Sequence, residues 1–151
     1  MTSTLVVLAP TVFGLLILAV CYWVFRHDSD RVRLVSMYQF IAILNYGLIA
    51  WEAAEINPRS LIVYGFVAYI LFMYLAMGAL AIQLSAWAWK SAIGMFALHF
   101  ALPLVILFNP PKATTNLFAG LVYWFALGGL GLWATLHPST KKAISPPRPA
   151  T

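Results

Sequence analysis

The chain has 151 residues, 63% of them hydrophobic and 9% charged, with a formal net charge of +5 and a mean hydropathy of +0.89. Soluble domains carry about 25% charged residues, so this composition lacks the polar surface to coat a globule in water. It also leaves no loop length for a P-loop, a Rossmann unit or a separate soluble catalytic domain, and Cys21, the single cysteine, excludes an intrachain disulfide.

About 20 consecutive apolar residues are needed to cross the ~30 Å hydrocarbon layer. Five such stretches follow one another, at 5–25, 34–54, 61–84, 91–108 and 114–136, separated by polar or proline-containing breaks. Unpaired backbone groups in lipid cost several kcal/mol each, so every stretch is predicted to be a helix. The expected fold is an all-α integral membrane protein, a bundle of five transmembrane helices. The tail 139–151 carries Pro146, Pro147 and Pro149, follows Pro138, and has almost nothing to bury, which predicts disorder.

Lys and Arg near the membrane set orientation. Arg26, Arg31, Arg33, Lys90, Lys141, Lys142 and Arg148 fall on one side of the predicted topology, Arg59 and Lys112 on the other. The N-terminus is therefore expected outside and the C-terminus in the cytoplasm, in a cell membrane of the bacterial inner or plasma type. The first span has no basic run before it and is long enough to cross, so it reads as a retained helix rather than a removable leader. Trp23, Trp51, Trp87, Trp89, Trp133 and Tyr22 sit near predicted helix ends, where amphipathic rings settle at headgroup level. The odd span number and unlike loops argue against two inverted halves of the transporter type.

Polar groups inside lipid are costly and few. In the second helix Tyr38, Asn45 and Glu52 are spaced seven apart, nearly one face of a helix, with Gln39 and Glu55 beside them. That face is predicted to look inward. Asn45 lies roughly 16 Å from the cytoplasmic end and His99 of the fourth span roughly 12 Å at 1.5 Å per residue. Tyr69, Tyr74, Tyr123 and Trp124 come to similar levels on the third and fifth spans. These residues predict a small polar pocket of Asn45, His99 and one or more of the aromatics. An imidazole with an unperturbed pKa of about 6.5 could exchange a proton there. The alternative is that Asn45 and His99 only join helices through hydrogen bonds, and that Glu52 and Glu55 pair with Arg59 at the outer interface. Pro103 removes the bond its nitrogen would have made to the His99 carbonyl.

Gly120, Gly128, Gly129 and Gly131, with Gly65, Ala68, Ala76, Gly78, Ala79 and Ala81, supply small faces for close helix approach. No metal or cofactor is expected. His99 has no second histidine at matching depth for a haem, and nothing in the spacing of His27 and His137 around Asp28 and Asp30 requires a metal. Cys21 has no adjacent base and reads as a small buried hydrophobe rather than a nucleophile. The expected partners are membrane lipids, held by the basic cluster at about 1 kcal/mol per charge, and a second copy or a membrane-complex partner; nucleic acid is not implied. Three functions fit: binding or transport of a small ligand, ion or proton through the intramembrane pocket; service as a non-catalytic accessory subunit or assembly factor; or an enzyme acting on a lipid or isoprenoid with Glu52 or His99 as acid/base.

Overall fold

The computed structural model describes residues 2–82, 86–108 and 115–144, with side chains at 9–51, 53–82, 86–104, 107–108 and 120–144. Among them the chain is all-helical. Five long helices run α1 (Thr2–Val24), α2 (Arg31–Ile56), α3 (Leu61–Ala81), α4 (Ala86–Phe108) and α5 (Thr115–Leu136), followed by the short α6 (Pro138–Ile144). Two of the described segments, Asp28–Ile56 and Leu61–Ala81, are long and apolar enough to cross a membrane.

Local chemistry sets several boundaries. After α1, His27 is extended and the chain makes one 3-10 turn over Asp28–Asp30 before α2 begins. At the far end of α2, Asn57 is extended, and Pro58 opposes further helix in the residue before it. Ser60 then caps α3, its hydroxyl accepting from the Ile62 amide at 3.2 Å and so serving one of the amides a helix start leaves unpaired.

Packing sets the rest. The helix expected from residue 34 starts at Arg31, where Arg31 and Val32 are already buried. The one expected from residue 91 starts at Ala86: Ala88 and Ala92 are fully buried, and the Trp89 indole donates to the Thr135 carbonyl of α5 at 2.8 Å. The tail also differs from expectation, because 138–144 is helical. Pro138 supplies a φ suited to the first helical position, and the amides of Thr140 and Lys141 both donate to the His137 carbonyl. The buried Thr140 hydroxyl fastens the turn to the Ala134 carbonyl at 2.7 Å. Residues 145–151 of the predicted tail lie outside the described residues.

The principal pairings are α4 with α5, α2 with α3, α1 with α5, and α3 with α4, and α5 also touches α2. Helices α2 to α5 thus enclose a common interior, and α1 lies against it mainly through α5. Glycine makes the α4–α5 seam possible. A Cβ on Gly128 would lie 2.7 Å from the Phe100 backbone nitrogen, and one on Gly131 would run into the Phe96 ring. Gly65 of α3 has the opposite surroundings, with nothing within 4 Å of where its Cβ would be.

Candidate functional site

Four helices converge on Tyr46. Its ring meets Tyr69 of α3 edge-on at 5.0 Å between centroids, His99 of α4 at 4.7 Å and Trp124 of α5 at 5.9 Å. Phe66, one helical turn before Ile70 on α3, lies at 6.3 Å. His99 stacks on Trp124 with centroids 4.8 Å apart and planes 20° from parallel. Gly128 explains the stack: one turn beyond Trp124, it lets α5 close onto α4 beside the His99 and Phe100 backbone.

Hydrogen bonds give the cluster a direction. His99 is fully buried, with Nδ1 at 3.3 Å from the Met95 carbonyl and 3.2 Å from the Tyr46 hydroxyl. The Met95 contact calls for the proton on Nδ1, since a carbonyl oxygen can only accept, whereas the Tyr46 hydroxyl can serve either tautomer, as donor or as acceptor. The other nitrogen, Nε2, is buried without a hydrogen-bond partner. An orphaned acceptor is the cheaper arrangement, since orphaned buried N–H groups are the rarer kind.

Beside the cluster a groove of about 270 Å³ is lined by Tyr46, Ile62, Gly65, Phe66, Tyr69 and Leu98. It lies between the first half of α3 and the middle of α4, open on one side, and Gly65 contributes no side chain to its lining. Tyr46 is shared by the groove and the buried cluster. Pockets for drug-sized molecules run to roughly 300–1,000 Å³, so this one takes a ring or a length of chain rather than a whole large ligand.

The structure divides the predicted pocket. His99, Tyr69 and Trp124 come together around Tyr46. Asn45 does not join them: its amide donates to the Tyr123 hydroxyl at 3.2 Å, tying α2 to α5 separately. Tyr38 is buried between α2 and α1, donating to the Leu18 carbonyl at 3.2 Å, and Tyr74 is 57% exposed on the outside of α3. The side chain of Glu52 lies outside the described residues. Glu55 accepts from Trp51, one turn earlier, at 2.8 Å. Gln39 is fully buried, and its amide finds no hydrogen-bond partner among the described residues.

Tyr46, Phe66 and the groove-forming use of Gly65 are absent from the predicted site. A signal for Tyr46 exists in the ladder Tyr38, Ala42, Tyr46, Ala50, four apart and all buried, in which large and small side chains alternate along one helix face. Among the described residues no three His, Cys, Asp or Glu side chains gather in a way that could hold a metal ion. Comparison with protein families, curated proteins and solved structures gives no match.

Proposed function

We propose that the chain is an integral membrane protein whose five long helices all span the bilayer, and that it binds a small lipid-soluble ligand in the groove between α3 and α4. The spanning reading draws support from the outer surface. Phe13, Leu16 and Trp23 of α1, Leu44 and Leu48 of α2, Leu71 and Leu75 of α3, and Leu104 and Phe108 of α4 all point outward. Burying apolar area is favourable by about 25 cal/mol per Å², and so broad an apolar exterior suits hydrocarbon rather than water. With the N-terminus outside and the C-terminus in the cytoplasm, the groove lies in the outer half of the bilayer and opens sideways into lipid.

The observation that carries the binding reading is the groove itself, an unfilled cleft walled by Tyr46, Phe66 and Tyr69. Rings offer an apolar face of low conformational entropy and prefer edge-on or offset contact with another ring. A ligand with a flat ring and an apolar tail could place the ring in the cleft and leave the tail in lipid. Gly65→Leu tests this directly, because the new side chain enters open space rather than backbone. Native mass spectrometry of nanodisc-embedded protein titrated with decylbenzene is expected to show adducts on the wild type and none on the variant; equal adducts on both would remove the groove from consideration.

One observation also favours the enzyme reading: Tyr46 and His99, two titratable side chains, are in hydrogen-bond contact beside the cleft. A lipid or isoprenoid converted by wild-type protein, and left unconverted by His99→Gln although still bound, would identify that role.

A further inference from the structure

We infer that Gln39 holds an internal water molecule inside the bundle, in a layer of small residues two helical turns from Tyr46. The site is separate from the groove between α3 and α4 and does not depend on it.

The rings of Tyr46, Tyr69, His99 and Trp124 mark one level of the bundle. Helix α5 runs antiparallel to α2, since Arg31 meets Trp133 while Asn45 meets Tyr123. It is antiparallel to α4 as well, since Trp89 meets Thr135 while His99 meets Trp124. Helices α2 and α3 are joined through 57–60 alone and run in opposite directions. Seven residues make almost two turns, a rise of about 10 Å on nearly the same face. One such step from the ring level, toward the start of α2, comes to Gln39, Ala76, Ala92 and Gly131, and all four are buried. The Phe96 ring lies over Gly131. Ala76 and Ala92 are fully buried, as is Ala42, three residues beyond Gln39. A level of large rings is thus followed by one of small side chains and a single amide.

That amide is 0% exposed, and neither its Oε1 nor its Nε2 has a hydrogen-bond partner among the described residues. Other buried polar groups are better served: Arg31 has the Trp133 ring and Asp28 beside it, and His99 keeps Nδ1 bonded. Gln39 lacks both a donor's and an acceptor's partner. An amide brings two N–H donors and an accepting oxygen, and burying it unmet is expensive. Because the side chain is enclosed, neither bulk solvent nor a lipid headgroup reaches it, whichever way the amide is turned. Protein interiors meet such groups with ordered water. Water is small enough for a level where alanines stand in place of larger side chains. It can accept from the N–H on the carbonyl side of the amide and donate to Oε1, closing both deficits at once.

The experiment looks for water at the amide of the full chain in lipid bilayers. Glutamine occurs twice, at Gln39 and Gln83, so ¹⁵N-labelled side chains give two NH₂ groups, told apart by correlation to their own backbones. Water-edited solid-state NMR at short mixing times is expected to carry magnetisation from water to the Gln39 amide protons. No transfer to Gln39 in the folded wild type would overturn the inference, and that spectrum decides on its own should a variant fail to assemble. A second measurement tests the room in the layer. Ala92→Val adds bulk at the level of Gln39 and is expected to extinguish the transfer and lower the SDS-unfolding midpoint, because the amide then loses its water. Gln39→Met keeps the length of the side chain and sheds both orphaned atoms, so no water is held. In that background Ala92→Val fills an empty space and is expected to leave the midpoint unchanged or raise it. An equal lowering in both backgrounds would show a layer already full and would overturn the inference as well.

Discussion

Gly128 and Gly65 are the same residue in helices of similar composition, and they do opposite things. At Gly128 the missing side chain is occupied by another helix, whose Phe100 backbone nitrogen would lie 2.7 Å from an added Cβ. At Gly65 no atom lies within 4 Å of an added Cβ, and the residue lines the groove. Small residues in a helical bundle thus make either a seam or a vacancy, and the neighbouring helix decides which.

Substitution is the way to break that contrast. The largest effect is expected for Gly128→Leu, which forces α4 and α5 apart and should abolish the folded species in detergent gel filtration. Gly128→Ala should survive but lose about 1–3 kcal/mol, the cost of overpacking, seen as a lower midpoint on thermal or SDS unfolding. Gly14→Ala meets only the Tyr123 ring, at 2.6 Å, and should cost less, because a side chain yields where a backbone cannot. Gly65→Ala should leave the fold unharmed or raise its stability by up to about 1 kcal/mol through helix propensity. If Gly65→Ala destabilises as much as Gly128→Ala, the contrast between seam and vacancy is wrong.

Smaller effects sharpen the picture of the polar pairs. Tyr46→Phe with His99→Leu removes both partners of one buried contact, and the double variant should be closer to wild type than the sum of the two single losses, with a coupling of about 0.5–1.5 kcal/mol. Asn45→Leu and Tyr123→Phe each delete the same half-buried bond, for about 0.5–1 kcal/mol. Neither should alter ligand binding, since that pair stands apart from the groove.

The helical fold was legible because apolar stretches broken by polar runs and prolines leave the backbone few alternatives. Helix ends were less so: Ala86 and Arg31 begin their helices early because Trp89 and Arg31 find partners on α5, and α6 forms because Thr140 reaches back to Ala134. No short-range pattern announces such contacts. The geometry of the candidate site was legible in part. His99, Tyr69 and Trp124 were recognisable as polar or amphipathic groups at similar depth, and depth along a helix can be counted. Direction around the helix could not, since neither the apolar nor the polar residues of α2 keep to one side and its face must be guessed from polar spacing. A step of seven returns to nearly the same face, so Tyr38 pointed to Asn45 and Glu52. Steps of four from Tyr38 through Ala42 lead instead to Tyr46, about 100° around from Asn45, and these three are buried. The partner of Gly65 could not be read either, because a vacancy depends on what α4 does not place there.

Arg31 anchors one end of α2 to α5. Its buried guanidinium lies 4.6 Å over the Trp133 ring and 3.6 Å from Asp28, and Trp133 in turn touches Tyr22 and His137. Trp89 and Thr140 add their own ties to α5 close by. At the opposite end Ile56, Leu61 and Phe108 are 88%, 87% and 83% exposed. Contacts from α1, α2, α4 and α6 thus meet on one stretch of α5, residues 133–135, so that this end of the bundle is clamped through a single helix.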